Sequence, residues 1–307
     1  MGQFRTAGLI ASAALCATML ASCGREGAEQ QVAETKTPEP AKTLTNAERI
    51  DGVLAGDHRT EEERARDEFR NPKETLTFFE VTPDMTVVEI WPGGGWYTNV
   101  IAPYLKTGGG QYYAAGFSPE GASERVRAAL DTFDKSFVQK PETYGSVAMS
   151  VLGDGGDIAP AESADAVLTF RNVHNWIPRG SAASNFEEFY AALKPGGILG
   201  VVEHRADGND NAPADGTTGY VFEADVIKLA EDAGFEFIAR SDINANPADT
   251  KDHPFGVWTL APVRRSSATR GQEDPEFDRA KYDAIGESDR MTLKFRKPVA
   301  ADGALLE

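Results

Sequence analysis

Apolar residues recur along the chain in two rhythms. Short runs rich in Val, Ile, Leu, Phe and Tyr fall at 86–90, 111–115, 146–152, 166–170, 198–202, 235–240 and 291–295. Short apolar runs bounded by glycine, proline or aspartate predict strands. Segments 98–105, 118–135, 185–192 and 223–233 separate them with apolar residues at helical spacing. Strands alternating with helices predict a parallel sheet with helices on both faces. The run Met291-Thr292-Leu293-Lys294-Phe295 alternates, which predicts a last, antiparallel strand closing the sheet. The expectation is an α/β fold with a seven-stranded, mostly parallel sheet.

Ahead of the first strand the pattern is helical. Thr45 with Glu48, and Thr60 with Glu63, have capping-box spacing. They predict helices opening near 46 and over 60–69, and a third over 72–79 directs Leu76, Phe78 and Phe79 inward. Together residues 45–80 form a helical cap before the main domain at 81–300. Arg66 and Arg70 lie one turn apart, which suits solvated ion pairing or an anionic ligand. Residues 243–289 interrupt the final pair of strands as a long, irregular, polar insertion holding Asp252 to Trp258.

The first residues follow another logic. Arg5 precedes an apolar run from Ala7 to Ala21, too short to span a bilayer comfortably and rich in small residues. This predicts a signal peptide over 1–22, and the Glu-, Gln-, Thr- and Pro-rich stretch to residue 44 predicts a flexible tether. Cys16 and Cys23 are the only cysteines, so a processed chain can form no internal disulfide. The ending Leu20-Ala21-Ser22-Cys23 resembles a bacterial lipobox, which implies lipidation at Cys23. With Gly24 next, that resemblance implies the periplasmic face of the outer membrane; a soluble periplasmic protein is the alternative.

Composition narrows the partners. A formal net charge of −17, without a cluster of Lys and Arg, excludes a polyanion such as nucleic acid. The 41% hydrophobic and 26% charged residues are ordinary for a globular domain. A small molecule is the expected partner, with the membrane met only through a lipid at Cys23.

The densest chemistry follows the first strand, in Glu89-Ile90-Trp91-Pro92-Gly93-Gly94-Gly95-Trp96-Tyr97. A carboxylate at the end of a buried strand, then glycines opening a helix, is the arrangement of a nucleotide-type pocket. Combined with Leu193-Lys194-Pro195-Gly196-Gly197 and Ala164-Asp165-Ala166-Val167-Leu168-Thr169, it resembles the class I S-adenosylmethionine (SAM)-dependent methyltransferases over residues 82–297. In particular it is similar to a bacterial group of predicted methyltransferases with a Trp-Pro-Gly-Gly-Gly-Trp-Tyr loop. The resemblance implies a Rossmann-like fold and SAM as cofactor. Glu89 would orient water or the amino group of SAM, and Gly93 and Gly95 would let the backbone approach its methionine part. Asp154 and Gly155 would sit beside the adenine, or else form a turn capped by aspartates. Trp91 replaces the usual first glycine, either filling cofactor space or stacking on a ligand. Gly116 falls where the pattern has an acidic residue for the ribose.

Arg171-Asn172-Val173-His174-Asn175 ends the fourth strand at the mouth of this cleft. His174 is a general-base candidate, since imidazole suits proton transfer near neutral pH; a structural histidine is the alternative. Asn172 and Asn175 would orient a substrate, and Arg171 would pair a carboxylate. Glu203-His204-Arg205 ends the fifth strand, making His204 a second candidate. His174, Glu203 and His204 could be metal ligands, but the spacing predicts no metal centre. The expected function is SAM-dependent methylation of a small molecule. The alternative is an exported lipoprotein that keeps the fold, has lost SAM binding, and serves as a binding or scaffolding protein. A metal-assisted hydrolase is a third reading.

Overall fold

The computed structural model describes residues 43–153, 157–208 and 216–299. The signal peptide, Cys23, most of the tether, Asp154 and Gly155 lie outside the described residues. Among the described residues no helix is long and apolar enough to cross a membrane.

Seven strands form one sheet: β1 (Thr86–Ile90), β2 (Gln111–Gly116), β3 (Val147–Val151), β4 (Ala164–Phe170), β5 (Leu193–His204), β6 (Glu236–Ser241) and β7 (Arg290–Arg296), in the order β3-β2-β1-β4-β5-β7-β6. The first five pair in parallel, and β7 runs antiparallel to both β5 and β6. The direction of connection reverses between β1 and β4, so their carboxyl ends open the crevice where ligands of such sheets bind. Neighbouring residues in β1 serve opposite faces. Val87 packs with Leu76, Phe79, Ile101 and Tyr104, whereas Val88 packs with Trp176, Phe186, Phe189 and Leu293. Each large apolar side chain buried this way contributes roughly 1.5–3 kcal/mol.

The N-terminal helices and the sheet belong to one compact unit, Leu44–Glu307. The helices are α1 (Asn46–Leu54), α2 (Glu61–Arg64), α3 (Asp67–Arg70) and α4 (Pro72–Phe78). Both capping boxes form. The helix expected over 60–69 is instead broken at Ala65-Arg66, and α3 ends on Asn71 in the left-handed conformation (φ 38°). Pro72 then starts α4, where its missing N–H costs nothing. Helix α5 (Thr98–Lys106) follows the glycine loop. The helix expected over 118–135 begins only at Glu124, because Ser123 caps it, and α6 (Glu124–Phe133) runs into a wide π-turn at Asp134–Val138. Strand β5 begins at Leu193, five residues earlier than expected.

The insertion is more ordered than its composition predicts. It contains a 3-10 turn at Gly256–Thr259 and a helix at Ala280–Ile285. Buried Asp249 ties it down, accepting hydrogen bonds from Tyr220 and the Asp289 amide and pairing with His253 Nε2 at 2.7 Å.

Candidate functional site

The site lies at the carboxyl ends of β1, β4 and β5, between the N-terminal helices and the insertion. Two residues there have left-handed backbones without being glycine: Trp91 (φ 45°) after β1 and Arg171 (φ 61°) after β4. Each such residue costs about 1–3 kcal/mol, and pairing to the next strand holds both in place. The Trp91 amide donates to Ala115 O at 2.8 Å and the Arg171 amide to Val202 O at 2.7 Å. Strain at two adjacent strand ends turns both side chains into the crevice.

Trp91 divides that crevice. Its indole packs on Phe117 (ring centroids 4.4 Å) and against the edge of Trp176 (5.6 Å). On one side is an apolar cavity of about 330 Å³ lined by Gly116, Phe117, Val126, Leu130, Met149 and Asn175. On the other is a polar cavity of about 390 Å³ lined by Arg66, Arg70, Glu89, Trp96, Tyr97 and Arg171. Gly93 lines both, in the left-handed conformation with open space where a side chain would project. Gly95 is different. It lines neither cavity, and it needs glycine for two reasons: its backbone is left-handed (φ 82°), and an added Cβ would lie 2.2 Å from Phe137 Cζ. Gly95→Ala is therefore expected to lower stability by about 1–3 kcal/mol through left-handed strain and overpacking, measured by urea unfolding. A neutral result would mean that Phe137 moves aside and that the backbone at residue 95 relaxes with it.

Glu89 stands at the end of β1 with 2% of its surface exposed. It accepts hydrogen bonds from Tyr112 and from Thr98 Oγ1. Burial raises its carboxyl to about 7, against those two bonds and the charges of Arg171 and Arg70. It is thus close to half-ionised at neutral pH, and its attraction for an ammonium group strengthens as pH rises through 7. Among the described residues, an added Cβ at Gly116 would meet Leu130 Cδ2 at 3.5 Å and Ser150 O at 4.0 Å, and no carboxylate within 4 Å.

The three arginines lining the polar cavity share one buried carboxylate that does not itself line it. Glu287, 3% exposed, receives Arg66 Nε at 2.7 Å and Arg70 Nε at 3.1 Å, with Arg290 Nη1 at 3.2 Å and Arg171 Nη1 at 3.7 Å. Burial alone would raise Glu287, but the charges of Arg70, Arg290, Arg171 and Arg66 outweigh it and bring the carboxyl down to about 2. The solvated pairing anticipated for Arg66 and Arg70 is thus replaced by a sunken cluster. The glycine loop holds it in place. The Trp96 ring lies 4.5 Å from the Arg70 guanidinium and 5.4 Å from that of Arg59, and Tyr97 OH donates to Arg70 O.

A third cavity, of about 540 Å³, lies between His174, Asn175 and the insertion residues Trp258, Arg265 and Arg270. Here His174 Nδ1 meets Glu203 Oε1 at 2.9 Å, and Glu203 also accepts the backbone N–H groups of His174 and His204. Asn175 Nδ2 lies 3.0 Å from His174 Nε2. The network fits the tautomer with the proton on Nδ1, leaving Nε2 as a proton acceptor. His204 bonds Ser288; burial, then His174 and the nearby arginines, hold it well below its ordinary value and so neutral.

The structure thus brings His174, Glu203 and His204 together, their ligand atoms within 4.8 Å of one another. Glu203 already accepts three hydrogen bonds, one of them at His174 Nδ1, so a metal ion held by all three residues would have to displace that contact or use His174 Nε2. Arg171 belongs to the polar cavity, not to the histidines. Asn172 lines the polar and apolar cavities, while its amide donates to Ile90 O and Thr169 Oγ1, fastening β4 to β1. Sequence reasoning missed Glu287 and Arg290; the charged run Glu287-Ser288-Asp289-Arg290 directly before an apolar strand was the available signal.

No protein-family model and no curated protein matches the sequence. Solved structures do match the fold. The [4+2]-cyclase SpnF is similar with a TM-score of 0.50 at 20% identity, over 80% of this chain and 85% of that one. Geranyl diphosphate C-methyltransferase from Streptomyces coelicolor, solved with S-adenosylhomocysteine (SAH), gives 0.50 at 13% identity, over 80% of this chain and 87% of that one. The chain has the Rossmann-like methyltransferase fold, with six parallel strands and one antiparallel. The site's residues can accommodate the cofactor of that fold: Gly93 leaves the backbone open to both cavities, Glu89 stands ready for an amino group, and Trp91 Nε1 is a buried donor without a partner.

Proposed function

We propose that the protein is a SAM-dependent methyltransferase acting on a small molecule. The observation that carries this reading is the pair of cavities meeting at Gly93, one apolar and one polar. Gly93 and the apolar cavity at Gly116 and Phe117 would hold the adenosine part, and Glu89 the amino group. When bound, SAM supplies an electrophilic methyl group, and the acceptor that takes it gives up one proton. His174, oriented by Glu203, is the proton acceptor. The residues therefore act by positioning and by removing that proton.

Trp91 supports a second reading, a binding protein that keeps the fold without SAM, because the indole resting on Phe117 stands between the cavities. Fold alone does not decide, since SpnF is described as a cyclase. Calorimetric titration of the purified full-length chain with SAM and SAH tests the two. The first reading expects SAH to bind, with an affinity that rises with pH through 7 and falls by about tenfold in Glu89→Gln. Binding seen only in Trp91→Gly would establish that the indole blocks the cofactor.

We propose that the chain is exported, lipidated at Cys23 and held at the periplasmic face of the outer membrane, supported by the Leu20-Ala21-Ser22-Cys23 ending. Loss of membrane association in Cys23→Ser tests it.

A further inference from the structure

The polar cavity is lined by three arginines, Arg66, Arg70 and Arg171, against two carboxylates, Glu63 and Glu89, and its arginines belong to a larger buried cluster. Four guanidinium groups, from Arg66, Arg70, Arg171 and Arg290, share Glu287. Of the carboxylates that do line the cavity, Glu63 is hydrogen-bonded through both oxygens, and Glu89 through Oε2 alone among the described residues. Glu63 accepts from Asn99 Nδ2 and from the Thr60 amide, and Glu89 binds Tyr112 and Thr98. Three buried donors on lining residues have no partner: Arg66 Nη2, Arg70 Nη1 and Trp91 Nε1. Unmet buried donors are costly, the more so when cationic. All three are donors, and two are guanidinium nitrogens, the group suited to planar recognition of carboxylate or phosphate.

We infer that this cavity binds an acidic small molecule through its carboxylate or phosphate group, and that this acid is the methyl acceptor. The second half rests on the methyl-transfer reading; the first does not. The lining arginines come from two separate parts of the chain, the N-terminal helices and the end of β4, so folding assembles the cradle. It adjoins Gly93, which places the acid beside the cofactor cleft. An anion there also makes electrostatic sense for a cationic donor. SAM carries a sulfonium charge that the arginines repel, whereas SAH does not, so filling the cradle should favour SAM over SAH. Such coupling is reciprocal.

The same chemistry has two sources, the acceptor's acid group and the carboxylate of the cofactor itself. Calorimetry and thermal unfolding of the full-length chain with inorganic phosphate and with succinate, at matched ionic strength, separate them. The expected result is binding of at least one anion, weakened by about tenfold or more in Arg66→Gln and Arg70→Gln and unchanged in Arg125→Gln, which lines the third cavity. Bound anion should leave SAH affinity unaltered and strengthen SAM. Competition between the anion and SAH would assign the cradle to the cofactor's carboxylate and overturn the acceptor proposal. An anion bound without any SAH binding would sustain the acid site while defeating methyl transfer. Absence of anion binding in folded protein, with SAH still bound, would overturn the inference and leave methyl transfer standing.

Discussion

Replacing Glu287 with alanine is expected to destabilise the protein by about 3–5 kcal/mol, the cost of stripping buried charges of their partner. The side chain is 3% exposed and is the shared counterion of Arg66, Arg70, Arg171 and Arg290. Without it, cations drawn from the N-terminal helices, β4 and β7 repel one another with little water to screen them. Burial, together with Arg171, already lowers Arg70 well below its ordinary value despite the counter-charge of Glu287. Glu287→Gln keeps the shape and loses the charge, so it separates electrostatics from packing. The pH dependence has a definite sign. A carboxyl at about 2 in the folded chain, against an ordinary 4.5, contributes its full stabilisation above 4.5 and loses it progressively as pH falls toward 2. That difference corresponds to about 3 kcal/mol. Urea unfolding at neutral pH, and across that acid interval, measures both effects. A loss below about 1 kcal/mol in Glu287→Ala would mean that water or another group compensates the arginines.

The same cluster shows where sequence reading stops. The sheet was legible because each strand carries its own apolar run, and the antiparallel last strand because Met291 to Phe295 alternates. The carboxylate of β1 and the glycine loop were legible because they are contiguous. Arg66 and Arg70 were visible as neighbours on one helix turn, but their partner Glu287 lies more than two hundred residues further on. No local pattern links them. The break between α2 and α3 escaped for a related reason: the periodicity continues through Ala65-Arg66, and only tertiary pairing shows why the chain turns there. Gly93 and Gly95 look alike in sequence, yet one faces open space and the other Phe137. The insertion read as an irregular loop because its order comes from buried polar contacts such as Asp249 with Tyr220 and His253, which leave no hydrophobic signature.

His174→Asn is expected to slow methyl transfer by about 10²–10⁴-fold, the usual contribution of a positioned acid or base, with SAH affinity unchanged. His174 lines the third cavity and neither of the cavities assigned to cofactor and acid, so binding should survive its loss. Its link to the other two is Asn175, which lines the apolar cavity and contacts His174 Nε2. Glu203→Gln should give much of the same loss, and the double variant little more, because residues acting as a unit are not additive. Rate of SAH formation with an acid that the wild type methylates is the measurement. Nitrogen NMR supplies a readout that needs no acceptor, since Glu203→Gln should disturb the tautomer with the proton on Nδ1. The outcome also identifies the acceptor atom. An acid methylated on its carboxylate is already ionised and has no proton to give, so turnover that survives in His174→Asn would mean that the arginine cradle presents the reacting oxygen itself. A large loss would mean that the arginines only anchor the acid, and that a separate protonated nucleophile extends toward His174.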